Sequence, residues 1–296
     1  MTKSFLSLAI GATLALTVQA AEKPNVVFIL ADDLGYNEVG CYGQEKIKTP
    51  ALDAMAKEGI RFTRHYAGAP VCAPSRCVLL SGKHLGHAEI RGNRQAARSN
   101  PKYKEGQHPI TADVTTLAEV FSNAGYNTAA MGKWGLGPVG STGDPNKQGF
   151  DHFFGYNCQA VAHSFYPKHL WNDAKQILLN EKPVPGHGKQ LEGDVTFEKW
   201  TGKNYSATAI LDDALDWLGA QTKEKPFFLY YATGAPHAPH HTKASDRKKY
   251  LGKYQQGWDK VRQNRLYNQK QMGMVPDNTK LSGYTPGVEA WNRLSA

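Results

Sequence analysis

Four short strings carry side chains that could do chemistry. Asp32-Asp33 follows directly on the apolar run Asn25-Val-Val-Phe-Ile-Leu30. Two hard carboxylates just past the carboxyl end of a strand suit a divalent cation, Ca²⁺ or Mg²⁺, of the kind used to hydrolyse phosphate or sulfate esters. The pair alone suits the start of a turn or a helix cap equally well. Cys72 opens Cys72-Ala73-Pro74-Ser75-Arg76, with Leu80-Ser81-Gly82 close behind. A thiol there is a nucleophile if activated and a buried sulfur beside a turn if not. Lys133 stands in Gly132-Lys133-Trp134, shortly after Gly125-Tyr126-Asn127-Thr128, and His237 stands in Ala235-Pro236-His237-Ala238-Pro239. Taken singly, Lys133 reads as a solvated cation and His237 as a packed ring.

Taken in order, the strings resemble the formylglycine-dependent sulfatases. The first family signature, Cys-x-Pro-Ser-Arg followed by Leu-Thr/Ser-Gly, is matched at Cys72 to Gly82, and the second at Gly125 to Trp134. The resemblance runs from about residue 24 to the end. It implies that a maturation enzyme, reading the unfolded motif, oxidises Cys72 to formylglycine (3-oxoalanine). It also implies that Asp32, Asp33 and modified Cys72 are metal ligands, with Ca²⁺ expected and Mg²⁺ the alternative. In the same comparison Arg76 steadies the hydrated aldehyde, Lys133 contacts the sulfate, and His237 lies beside the leaving oxygen as a general acid.

These residue types suit such a reaction. A sulfate monoester carries a charge that repels nucleophiles, so a metal ion and cationic side chains must neutralise it. In the mechanism the resemblance implies, one hydroxyl of the hydrated aldehyde attacks sulfur and expels the alcohol; the other then loses its proton and the sulfate departs. Serine would be left with a stable sulfate ester, and unmodified cysteine lacks the second hydroxyl.

Two departures stand out. Many relatives have Lys-Trp-His-Leu-Gly where this chain has Lys133-Trp134-Gly135-Leu136-Gly137, so a sulfate-site histidine is missing at position 135. His84, His87 and His163 are the candidates to replace it, and the stretch around them, with Arg91 and Asn93, is expected to shape the substrate pocket. The family's second acidic/amide ligand pair, on a Ser-Asp-Asn-Gly-like strand end, has no counterpart. Asp277-Asn278 follows Val275-Pro276 with no apolar strand before it and reads as a turn. The expectation is therefore a chain truncated at its C-terminus, with the remaining ligands and a smaller domain beyond Ala296.

The elements that must position these groups follow from periodicity. Residues 25–30 read as a strand buried on both faces. Thr49-Pro50 opens a helix with Leu52, Met55 and Ala56 inward and Gly59 closing it. Thr116-x-x-Glu119 is a capping box for a helix ending at Gly125, and a strand from Asn127 to Met131 follows. A third helix spans roughly Ser206 to Leu218, with Ile210, Ala214, Leu215 and Leu218 on one face, before a buried strand from Pro226 to Ala232. Residues 138–205 read as long loops over the sheet edge and 242–296 as a surface excursion. Alternating helices and strands imply an α/β fold, and the resemblance makes it a three-layer α/β/α sandwich of the alkaline-phosphatase type around a mostly parallel sheet.

Bulk properties set the remaining bounds. With 296 residues, 41% hydrophobic and 21% charged, the chain can bury a substantial core. Its formal charge of +9 suits anionic substrates through steering but is also a common solubility feature. No nucleic-acid module is visible. Lys3, the apolar stretch from Phe5 to Val18 and the small Ala20 read as a cleavable signal over residues 1–20, too short to span a membrane. Residues 21–296 are then the catalytic part, secreted or periplasmic. Of Cys41, Cys72, Cys77 and Cys158, only three remain if Cys72 is consumed, leaving at most one disulfide. The leading expectation is hydrolysis of aryl or carbohydrate sulfates. The alternatives are a phosphonate or phosphate monoesterase of the same superfamily and an inactive fragment.

Overall fold

A computed structural model describes residues 23–186 and 197–294; the expected signal peptide lies outside them. Strand β1 is Val26–Ala31. Helices α1 (Pro50–Glu58), α2 (Cys72–Ser81) and α3 (Leu117–Asn123) precede β2 (Asn127–Lys133). Then come β3 (His152–Tyr156), β4 (His169–Asn172), β5 (Lys175–Leu178), α4 (Ser206–Gly219), β6 (Phe227–Thr233), α5 (Ala244–Lys248) and α6 (Gly257–Gln271). The strands form one sheet of order β1-β6-β2-β3-β4-β5. The first four in that order run parallel, and β4 and β5 extend the sheet antiparallel.

Alternation along the central strands produces the three layers. Ala130 of β2 and Phe228 and Tyr230 of β6 join Ala73, Cys77 and Leu80 of α2 and Ala118 of α3 in one core. Their strand neighbours Ala129, Met131 and Leu229 point the other way, onto Ile210 and Ala214 of α4. Complete burial of a side chain such as Phe228 stabilises by roughly 1.5–3 kcal/mol, which makes these two layers the main support of the sheet. The Thr116 capping box forms as expected, with Glu119 reaching back to the Thr116 backbone.

Several elements differ from the sequence expectations. β1 is not buried on both faces: Val27 is 48% and Ile29 55% exposed, because no layer among the described residues covers that side and β1 has only β6 as a neighbour. Helix α1 buries nothing; Leu52 and Met55 face solvent, and polar contacts hold it, including Asp53 accepting the Cys41 N–H at 2.6 Å. On α4, Leu215 is exposed and the inward stripe is Ile210 and Ala214. The supposed loops between 138 and 205 contain β3, β4 and β5, strands of four or five residues, too short for a clear alternation. The excursion after residue 242 includes the 15-residue α6, of which only Gly257 is buried. Asp277 and Asn278 lie in a turn. All four cysteines are free thiols.

Gly132 explains how β2 and β6 meet so closely just before the site. Its φ is +109°, and a Cβ there would lie 2.1 Å from the Ala232 carbonyl oxygen. On the far side of the sheet, His152 ties three elements together. Its Nε2 is 2.9 Å from Asp213 of α4 and its Nδ1 is 3.3 Å from Asp173, in the turn between β4 and β5. The hydrogen bond to Asp213 is the main cause holding the imidazolium pKa above its usual value, with Asp173 adding to it against the opposing effect of burial. Because the folded pKa is raised, this contribution to stability is complete below about pH 6.5 and is lost as pH rises through the folded value. His152→Gln should therefore destabilise the protein more at pH 5.5 than at pH 8.5, read as the difference in denaturation midpoint; an equal loss at both pH values would contradict the charged staple.

Candidate active site

The carboxyl ends of β1, β2 and β6 open toward the N-terminus of α2, and the chemistry-bearing strings meet there. Cys72 is the first residue of α2. Pro74 falls within the first turn, where its missing N–H is needed by no intrahelical bond. The first such bond runs from Ser75 N–H to the Val71 carbonyl at 2.9 Å. Arg76 comes one turn after Cys72 and so shares its face. The Ala73 N–H, one of the donors the helix leaves free, goes to Asn93 Oδ1 at 3.0 Å. The helix dipole favours negative charge at this end.

Lys133, the last residue of β2, and Arg76 converge on Asp32. Lys133 Nζ donates to Asp32 Oδ2 and lies 3.5 Å from Cys72 Sγ. Arg76 places a guanidinium nitrogen 3.6 Å from Asp32 Oδ1 and another 3.4 Å from the Tyr230 hydroxyl. The side chains of Lys133 and Arg76 are 0% and 2% exposed, and that of Asp32 is 7% exposed. Two buried cations against one buried carboxylate leave a net positive centre, a setting that favours an anionic ligand.

His237 enters from the segment after β6. Its Nδ1 bonds the Ala238 carbonyl at 2.7 Å, and its Nε2 is 3.3 Å from Asp33 Oδ2. Asp33 has a φ of +60° and a side chain 64% exposed, at the mouth of the site. Asp32, Asp33, Cys72, Ser75 and Arg76 line a cavity of about 240 Å³. One ligand atom each from Asp32, Cys72 and His237 lie within 4.8 Å of one another.

The four expected pocket residues separate in space. His163 stacks on His237, with ring centroids 4.5 Å apart and planes 12° from parallel. His84 and His87 follow the other end of α2, roughly 14 Å along the helix axis from Cys72, and His84 Nδ1 is occupied by the Gly86 N–H at 3.1 Å. Arg91 donates to the carbonyls of Ala88 and Gly86. At position 135 a Cβ would lie 1.7 Å from Gln159 Nε2, so Gln159, itself buried, fills the space where many relatives carry histidine. Sequence reading missed Gln159 and Tyr230. The only signal for Tyr230 was a hydroxyl inside an apolar strand, and Gln159 gave none.

The sulfatase family model matches residues 24–280. The chain belongs to the sulfatase family. It is 34% identical over 296 residues to the arylsulfatase of Klebsiella aerogenes, an alignment covering 95% of this chain and 58% of that enzyme. The sulfatase chain thus spans less than two thirds of that relative's length. Among solved structures it resembles Ps i-CgsB, with a TM-score of 0.61 and 26% identity over 86% of this chain and 56% of the other. It also resembles BT4656 in complex with its substrate D-glucosamine-2-N,6-O-disulfate, with a TM-score of 0.51 and 29% identity over 73% of this chain and 35% of the other. These likenesses agree with the α/β sandwich described above. Among the described residues no helix is long and apolar enough to cross a membrane.

Proposed function

We propose that this chain is the catalytic part of an exported sulfuric ester hydrolase that acts on aryl or carbohydrate sulfates through residue 72. The observation that carries the reading is the convergence of Lys133 and Arg76 on Asp32 beside Cys72. Family membership supports sulfate as the ester, and the disulfated saccharide bound by BT4656 supports a sulfated sugar as substrate.

The residues present supply part of the donor set that this chemistry needs. Asp32 and Asp33 are hard oxygen donors, Asp32 lying within ligand reach of Cys72 Sγ, which marks the place of the oxygen that formylglycine would carry, and Asp33 standing exposed at the mouth of the site. These three would hold a divalent cation, Ca²⁺ or Mg²⁺, which when bound supplies charge neutralisation and a more acidic hydroxyl at residue 72. Processing by a formylglycine-generating maturation enzyme would supply an oxygen nucleophile there and a route to release sulfate without hydrolysing a second ester. Lys133 and Arg76 bring positive charge to the sulfate oxygens without reorganisation, because both are buried and already fixed. His237 projects Nε2 into the site and can hand a proton to the departing alcohol, and His163 holds that ring by stacking.

The test is turnover by protein co-expressed with a maturation enzyme and supplied with Ca²⁺. The expected result is a kcat/KM for 4-nitrophenyl sulfate at least about 100-fold above those for 4-nitrophenyl phosphate and a phenyl phosphonate. A preference for the phosphonate would replace this reading with a phosphoesterase. No turnover of any of the three would leave the inactive fragment.

A further inference from the structure

A second cavity, of about 410 Å³, is lined by Glu89, Ile90, Arg91, Gly92, Arg94 and His108. It belongs to none of the groups assigned above except Arg91. We infer that it is a subsite for a second anionic group, a sulfate or carboxylate, on the saccharide whose scissile sulfate sits at Cys72. The inference rests on the sulfatase reading of the site.

Three observations carry it. First, one residue ties the segment that lines the cavity to the start of α2, next to Cys72. Gly92 and Arg94 flank Asn93, whose Oδ1 accepts the N–H of Ala73, the neighbour of Cys72. Second, its walls are fixed. The His108 N–H donates to the Arg94 carbonyl at 2.8 Å and the Ala96 N–H to the Gly106 carbonyl at 2.9 Å, a short antiparallel pairing with its bridge at Gln95 and Gln107. Arg94 and His108 therefore face each other across paired backbone. Third, the charge is available. Arg91 is held only by carbonyls, and among the described residues neither Arg91 nor Arg94 has a carboxylate partner. The one acid in the lining, Glu89, is engaged by the N–H and hydroxyl of Thr111 at 2.9 and 3.1 Å. Two guanidiniums carried by this paired backbone supply the positive charge and N–H donors that a sulfate or carboxylate accepts.

The experiment is isothermal titration of the Cys72→Ala protein, which binds without turnover, with glucosamine 6-O-sulfate and with glucosamine-2-N,6-O-disulfate. The disulfate should bind at least about tenfold tighter, the worth of one good charge-assisted contact. Adding Arg94→Ala should bring that ratio close to one, whereas Lys57→Ala, which removes the same charge from exposed α1, should preserve it. The inference is overturned if Arg94→Ala keeps the ratio, if Lys57→Ala lowers it equally, or if the disulfate does not bind. Failure of the matured protein to turn over 4-nitrophenyl sulfate, with the ratio still dependent on Arg94, would sink the sulfatase reading and leave the anion subsite standing.

Discussion

Replacing Asp32 by alanine should cost the fold about 3–5 kcal/mol, besides abolishing activity. The carboxylate stands between two cations, Lys133 and Arg76, whose side chains are 0% and 2% exposed. Without it they are left buried together with no opposing charge, so desolvation and mutual repulsion act in the same direction. The Tyr230 hydroxyl and the backbone carbonyl of Lys133 remain as partners for Arg76, but neither carries charge. Denaturant titration would show the loss as a lower midpoint with an unchanged slope. A double variant, Asp32→Ala with Lys133→Met, should recover part of it, because one of the two stranded charges is gone. If Asp32→Ala proved as stable as the parent, the site would have to be far wetter than the burial of these three side chains allows.

The second large effect concerns residue 72. Cys72→Ala should lower kcat by at least about 10⁴-fold, leaving only what the surrounding charges achieve by binding. Its stability should barely change, since the thiol is only partly buried and the Cys77 and Leu80 face of α2 forms the core contact. Cys72→Ser separates the nucleophile from its processing: a hydroxyl is present but the hydrated aldehyde is not, so at most one turnover is expected before the sulfate ester accumulates. Mass spectrometry of the peptide containing Cys72 from active protein should show CHO in place of CH₂SH. Full activity with an intact thiol would refute the formylglycine mechanism outright.

How much of this was legible in the sequence depends on the range of the interaction. Local rules worked where the determinant was local: the Thr116 capping box formed, and the apolar runs at 26–31 and 227–233 became adjacent parallel strands. The motif strings led to one site because each lies at or just beyond a strand end or at a helix start, positions that backbone topology brings together. Burial was less legible. Val27 and Ile29 have the same residue types as fully buried strand positions, and they are exposed because no layer among the described residues covers them. The strands β3 to β5 were hidden because their stability comes from pairing with each other rather than from their own alternation. Gln159 occupying the space beside Gly135 is a contact across 24 positions of chain, with no local pattern to announce it.

The open side of β1 also governs how the molecule behaves among its own copies. Among the described residues β1 pairs with β6 alone, which leaves its outer edge and the exposed Val27 and Ile29 open in a stretch without charge or proline. Such an edge accepts any extended segment as a further strand, so crowding turns a feature of sheet order into a route to fibrous association. The formal charge of +9 opposes that encounter by mutual repulsion, and added salt would weaken the protection it gives.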